Sequence, residues 1–210
     1  MASDTKPPLD DKHIDEHDWH SREYVQHWID SDMTRDEERR PILRRMLALA
    51  PFARDAQIDI LDVGAGYGLV SEEALRAFPH AHLTLQDYSE LMFEHALKRL
   101  AGLSPLTRYV LADLCDPAWT AKVGGPFDLV VSGLAIHNLN IESSMKACYR
   151  GIYGLLRPGG LFLDYDLFGL VAGGVQTHSK WLREAGFERI HCIWEQAPIA
   201  AVAASVPSPK

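Results

Sequence analysis

Cysteine is scarce in this chain of 210 residues: Cys115, Cys148 and Cys192 lie far apart. They form neither a paired framework nor a metal-ligand spacing, which excludes a disulfide-stapled fold and suits a reducing compartment. Long apolar runs are also missing. No stretch reaches the roughly 18 consecutive residues that a spanning helix needs, so no membrane association is expected. The opening segment, MASDTKPPLDDKH, has neither the basic nor the apolar region of a secretory leader, and a cytoplasmic location is the expectation. Positive charge is in deficit, with 21 Lys and Arg against 29 Asp and Glu and a net charge of -8. Twelve acids and six bases fall within residues 1–40, which therefore carry most of the excess. An acidic chain without a Lys/Arg stripe repels phosphate backbones, so nucleic acid is not an expected partner.

What is present is an ordinary globular composition, 47% hydrophobic, in a length that suits one domain. Residues 1–12 are polar with a Pro-Pro pair and read as a disordered tail. Residues 13–57 read as an N-terminal helical lid segment over the active site, in which Pro41 suits the first turn of a helix from Arg40 to Ala50. From residue 58 to 210 short apolar runs alternate with helical stretches. The expected strands are Ile58–Val63, His82–Gln86, Arg108–Ala112, Phe127–Ser132, Gly160–Tyr165, Ile190–Trp194 and Ile199–Ala203. The expected helices are Gly68–Phe78, Ser89–Ala101, Ile141–Leu156 and Ser179–Ala185. Alternation of this kind predicts an α/β fold whose parallel sheet is covered on both faces. Only four residues separate the last two strands, so a hairpin makes at least one terminal strand antiparallel.

The strongest local signal is Asp62-Val63-Gly64-Ala65-Gly66-Tyr67-Gly68, an apolar strand that runs into a glycine-rich turn and then a helix. Its spacing differs from the dinucleotide fingerprint, which would require glycine where Leu69 stands. Further on, Leu83-Thr84-Leu85-Gln86-Asp87 is a strand ending in an acid, followed by Tyr88, Ser89 and Met92. A carboxylate at that position can accept two hydrogen bonds from a ribose diol. A third strand ends in Ala112-Asp113-Leu114, a fourth in Ser132, and Leu156-Arg157-Pro158-Gly159-Gly160 leads into a fifth.

In this order the pieces resemble the class I S-adenosylmethionine-dependent methyltransferases, of the type that acts on small molecules, over residues 58–203. The resemblance implies a Rossmann-like, seven-stranded, mostly parallel sheet with an antiparallel terminal strand, and S-adenosyl-L-methionine as cofactor. It places the cofactor's amino-acid end on Asp62, Gly64, Ala65, Gly66 and Gly68. The ribose falls to Asp87 with Tyr88 and Met92 alongside, the adenine to Asp113 and Leu114, and the amino group to the strand end at Ser132.

Methyl transfer needs mainly alignment and exclusion of water, with a base where the acceptor loses a proton. His137, after the fourth strand, is the candidate for acceptor contact and base. Tyr165 is the second catalytic candidate, although its neighbours Asp164 and Asp166 point the opposite way in a strand and are its rivals for the acceptor face. No N-P-P-Y follows the fourth strand, no metal-binding acid set is found, and no metal is expected. His13, His17, His20, Tyr24 and His27 recur at helical spacing and read as a lid face over the acceptor, a metal site or a solvated face. His20, Tyr24 and Trp28 are the substrate-wall candidates, with Trp19 beside them. The expected acceptor is a small molecule, with oxygen preferred over nitrogen, and the expected state is monomer or homodimer. The alternatives are a fold relative that binds the cofactor without methylating, and a nicotinamide oxidoreductase.

Overall fold

The computed structural model describes residues 18–103 and 106–208. The tail expected at 1–12, together with His13 and His17, lies outside them. Seven strands form one sheet: β1 (Asp59–Val63), β2 (His82–Asp87), β3 (Thr107–Leu111), β4 (Phe127–Gly133), β5 (Leu156–Asp166), β6 (Glu188–Gln196) and β7 (Ile199–Ser205). Their order is β3-β2-β1-β4-β5-β7-β6. Strands β3 to β5 pair in parallel, and β7 runs antiparallel to both of its neighbours. The order reverses between β1 and β4, and in open α/β sheets ligands collect beyond the strand ends at such a reversal. Strands β1 and β4 sit there, buried on both faces as central parallel strands are.

Seven helices accompany the sheet: α1 (Arg22–Asp32), α2 (Asp36–Leu47), α3 (Leu69–Ala77), α4 (Glu90–Arg99), α5 (Trp119–Val123), α6 (Glu142–Leu155) and α7 (Gly174–Ala185). Alternating strand residues feed two cores. On one face Ile60, Leu83, Leu85 and Tyr165 pack with Val25 and Ile29 of α1, Leu43, Met46 and Leu47 of α2, and residues of α3 and α4. On the other, Leu61, Val63 and Phe162 pack with Trp119, Tyr149, Ile152 and Trp181 from α5 to α7.

The structure corrects the sequence reading at several ends. Helix α7 begins at Gly174, five residues earlier than expected, because Gly173 at φ +85° supplies the left-handed entry. Strand β5 begins at Leu156, absorbing the Arg-Pro-Gly-Gly turn through a register shift opposite Phe127 and Leu129. Pro41 lies inside α2, not in its first turn, since the helix starts at Asp36. His20 lies outside α1, because Ser21 caps that helix by accepting the Tyr24 N–H. A continuous helical face through His20 to His27 is therefore not formed.

Helices α1 and α2 are fastened to α3 and α4 by charge pairs. Arg40 meets Glu73 and, at 3.0 Å, Glu72; Arg44 Nε reaches Glu73 at 2.7 Å. Arg99 donates to Asp36 at 2.8 Å and Glu72 at 2.9 Å. Burial works against the Glu72 charge, yet Arg76, Arg40 and Arg99 hold its pKa down at about 2. A buried charge needs such partners.

His178 of α7 is buried between Phe168 and Trp181, with Nδ1 2.7 Å from the Tyr149 hydroxyl. Burial pushes its pKa down to about 4, slightly opposed by Asp166. The unfolded chain takes up this proton near pH 6.5 and the folded chain only near pH 4, so the group's contribution to stability falls as pH drops through that window. At about 1.4 kcal/mol per pK unit, His178→Gln should lose about 3 kcal/mol less stability than the native chain between pH 7 and pH 4. Urea unfolding at both pH values measures this; equal losses in the two proteins contradict it.

Candidate active site

At the tip of β1 the chain turns through Gly64 (φ +63°) and Gly66 (φ +52°), a backbone region that side chains rarely tolerate. A Cβ on Gly64 would stand 2.3 Å from the Ala135 Cβ, whereas one on Gly66 would meet nothing within 4 Å. The first glycine thus lets two loops touch and the second faces open space. Three bonds hold the turn to β2: Gly64 N–H to Gln86 Oε1 (3.0 Å), Ala65 N–H to the Gln86 carbonyl (2.9 Å) and Gly66 N–H to Asp87 Oδ2 (2.8 Å). Gln86 also donates to the Ala112 carbonyl at the end of β3, 2.6 Å away.

A cavity of about 330 Å³ opens over these strand ends, within the range of small-ligand pockets. Gly64, Ala65 and Gly66 line it, as do Asp87, Tyr88 and Met92 at the tip of β2 and Asp113 and Leu114 beyond β3. Burial pushes the Asp87 carboxyl up in pKa, opposed by N–H bonds from Ser89 and Gly66 and by His20. Each of its oxygens takes one N–H, Oδ1 from Ser89 and Oδ2 from Gly66, so lone pairs remain for a diol. Asp113 Oδ1 accepts the Cys115 N–H at 2.8 Å, which fixes the carboxylate at the rim.

Toward β4 and β5 the lining changes to Gly133, Leu134, Ala135, Asn138 and Tyr165, roofed by Trp28, Asp32, Arg39, Leu43 and Tyr67. Arg39 donates twice to Asp32, at 2.5 and 2.6 Å, and the Tyr67 hydroxyl donates to this cluster of acids, 3.0 Å from Asp32 and 2.8 Å from Asp36. Tyr165 faces the cavity, and Asp164 and Asp166, one residue to either side, are buried. The sequence reading missed Asp32, Arg39, Tyr67, Gln86 and Asn138; the buried ion pair joins residues on two helices, and only Tyr67, adjoining the glycines, carried a local signal.

Six expected site residues lie outside the lining. Asp62 is wholly buried and accepts the Ser71 hydroxyl at 2.6 Å, so it reaches the first turn of α3; burial lifts its pKa to about 7. Gly68 heads α3 at φ +84°, packed on Ala96. Ser132 donates to the Val63 carbonyl, joining β4 to β1. His137 turns its ring to Asp166, with Nδ1 2.5 Å from Oδ1, while its N–H donates to Oδ2 at 3.1 Å. Although buried, Asp166 is held below the usual carboxylate range by His137 and by the N–H of Leu167, and burial with the Asp166 charge drives Asp164 far above it. His20 lies edge-on to Tyr88, and Tyr24 edge-on to Trp19. Trp28 and Trp19 do line the cavity, their rings 5.1 Å apart. Among the described residues no group of three or more His, Cys, Asp or Glu is arranged to hold a metal ion.

A Rossmann-type sheet, a glycine turn with space above it and acids at successive strand tips define a nucleoside-binding domain, and the free side of Gly66 and the spare lone pairs of Asp87 suit an adenosyl ligand. A family model described as a methyltransferase domain matches residues 61–162. Polyketide methyltransferase ustM of Ustilaginoidea virens is 31% identical over 179 residues, 74% of this chain and 37% of that protein. The chain spans about two fifths of the length of the curated relatives it matches. Among solved structures, an O-methyltransferase family protein from Burkholderia thailandensis superposes with a TM-score of 0.73 at 16% identity, covering 91% of this chain and 62% of that one. The N-methyltransferase NodS from Bradyrhizobium japonicum WM9, in complex with S-adenosyl-L-homocysteine, gives 0.65 at 19% identity, with coverages of 82% and 87%. These likenesses give a methyltransferase domain over residues 61–162 and support a class I S-adenosylmethionine-dependent methyltransferase with S-adenosylmethionine as cofactor.

The two turn glycines should respond differently to substitution. Gly64→Ala forces a clash with Ala135 and should cost about 2–3 kcal/mol, whereas Gly66→Ala carries only the backbone penalty of about 1–2 kcal/mol. Thermal unfolding of both variants tests this, and equal losses contradict the steric account.

Proposed function

We propose that this chain transfers the methyl group of S-adenosylmethionine to a small organic acceptor, with oxygen preferred over nitrogen. The observation that carries the reading is a single cavity that runs from Asp87 and Asp113 at one end to Tyr165 and Arg39 at the other, long enough in strand order for donor and acceptor to meet over β1 and β4. The names of relatives, a polyketide methyltransferase and an O-methyltransferase family protein, support the small acceptor and the oxygen. The cofactor supplies, when bound, a methyl group on a positively charged sulfur.

In this reading Asp87 accepts both ribose hydroxyls, with Tyr88 and Met92 beside the base. Asp113 accepts the exocyclic amine of the adenine, and the Leu114 backbone meets the ring. The turn at Gly64, Ala65 and Gly66, open above Gly66, receives the amino-acid end. Asp62 acts through Ser71: it fixes the first turn of α3 and hence the turn before it. Ser132 likewise sets the spacing of β4 against β1. The sheet with α3 and α4 makes the cofactor half of the site, and helices α1 and α2 close it over the acceptor. Trp28, with Trp19 behind, gives the acceptor an apolar wall that excludes water, and the Tyr165 hydroxyl and Asn138 amide orient its nucleophile. His137 is a positioning residue here; its two bonds to Asp166 pin the loop that carries Leu134, Ala135 and Asn138.

Asp87→Ala should weaken binding of S-adenosylhomocysteine at least tenfold by calorimetry, since each lost hydrogen bond to a charged group is worth about 1.5–3 kcal/mol. Unchanged affinity removes the ribose role. Turnover is read by mass spectrometry: release of S-adenosylhomocysteine together with a product 14 mass units heavier, the mass of one CH₂, marks transfer. A protein that binds the cofactor yet releases neither with any acceptor offered is a non-methylating relative.

A further inference from the structure

The C-terminal ends of α2 and α3 border a second cavity, which methyl transfer does not use. Its volume is about 390 Å³, and none of its lining residues lines the catalytic cavity. Helix α3 begins at the glycine turn and ends at this groove, so its nine residues, at about 1.5 Å each, separate the two by roughly 13 Å. The floor is apolar: Leu47 and Phe78 are buried, and Phe52 lies edge-on to Phe78 with ring centres 6.3 Å apart. Three guanidiniums line the same hollow, from Arg44 of α2, Arg76 of α3 and Arg54 of the segment that joins α2 to β1.

The helix dipole accounts for Arg44 and Arg76, each in the last turn of its helix. It does not account for Arg54, which belongs to no helix end and is drawn in by donating Nη1–H to the Arg76 carbonyl at 2.8 Å. Among the described residues that bond uses one of the five N–H donors of Arg54. Arg44 reaches Glu73, and Arg76 reaches Glu72, through Nε and Nη2 alone, and both side chains are more than half exposed. Glu73 is the acid of the lining, and it is spent: its side chain is 1% exposed and sits between Arg40 and Arg44. In a chain of net charge -8 this hollow therefore presents positive charge over an apolar floor.

We propose that the groove is a binding site for a small organic anion, an aromatic or alkyl body that carries a carboxylate or a phosphate. The body covers Leu47, Phe52 and Phe78, and the head meets the remaining donors of Arg44, Arg54 and Arg76, a pairing of charged hydrogen bonds suited to either oxyanion. The site stands apart from the methyl-transfer reading. A ligand there bridges α2 and α3 and stabilises the folded chain by mass action.

The test is calorimetry on the full chain saturated with S-adenosylhomocysteine, with four probes: phenyl phosphate, phenylacetate, benzyl alcohol and inorganic phosphate. Arg54→Gln removes a guanidinium that no acid holds among the described residues. Ala48→Trp, at an exposed position of the lining, fills the groove and leaves every arginine in place. Thermal unfolding shows that both variants fold, and their unchanged affinity for S-adenosylhomocysteine shows that the catalytic cavity is intact. Native protein should bind phenyl phosphate or phenylacetate one-to-one and at least tenfold more tightly than benzyl alcohol or inorganic phosphate, the better anion naming the head group. Arg54→Gln should weaken that binding at least tenfold and Ala48→Trp should abolish it. Absence of binding by both organic anions overturns the proposal. So does inorganic phosphate or benzyl alcohol binding as tightly, because charge and apolar floor are then not read together, and so does undiminished binding in both variants, which puts the anion elsewhere. Failure of native protein to bind S-adenosylhomocysteine defeats the methyl-transfer reading alone, and the anion titrations then decide this one without it.

Discussion

A carboxylate withdrawn from water at the tip of β2 organises this site. Desolvation of Asp87 is costly unless hydrogen bonds replace its hydration, and two backbone N–H groups do so. One comes from Gly66, which can present it only because a glycine accepts positive φ. The other comes from Ser89, whose own hydroxyl caps α4 through Met92 and donates to the Trp19 carbonyl. One acid therefore sets the glycine turn, the start of α4 and the approach of the N-terminal segment. Its neighbour Gln86 repeats the device with a neutral amide, tying the same turn to β3. The spare acceptor capacity of Asp87 then faces the cavity.

The second constraint is electrostatic and lies in the N-terminal helices. Arg39, Asp32, Asp36, Arg99, Glu72 and Arg40 are largely buried, so each depends on its partners for its charge. Tyr67 stands at the centre, bonded to Asp32 and Asp36 and covered by Arg99 at 4.7 Å from its ring. As Tyr67 belongs to the glycine turn, the wall over β5 and the turn over β1 are one mechanical unit. Val25, Ile29 and Leu43 add apolar burial beneath it. Helices α1 and α2 are thus part of the core as well as part of the cavity.

Much of this was legible locally. The turn at residues 62–68, the acids ending β2 and β3, and the closing hairpin follow from spacing and alternation, since a strand end and a glycine turn are written in a few adjacent residues. The seven-stranded, mostly parallel sheet with one antiparallel strand follows from their order. Destinations that depend on distant residues were not legible. Asp62 carries the motif but is buried beneath the turn, where one of its oxygens accepts from Ser71, nine positions on. Arg39 reads as one charge in an acidic helix until Asp32 and Tyr67 enclose it. Strand alternation said that Tyr165 opposes Asp164 and Asp166, and only the packing of α2 on one sheet face decided which of them meets the cavity. The histidine spacing misled because Ser21 starts α1 after His20. Helix α5, with five residues, was too short to leave a periodic signal.

The central claim is that the turn at Gly64–Gly66 and the acids beyond it receive an adenosyl sulfonium cofactor and not a dinucleotide. Calorimetric titration of the unaltered chain with S-adenosylmethionine, and in parallel with NAD, measures this directly. The account predicts saturable one-to-one binding of the first and no heat from the second. Binding of NAD with no response to S-adenosylmethionine would contradict it.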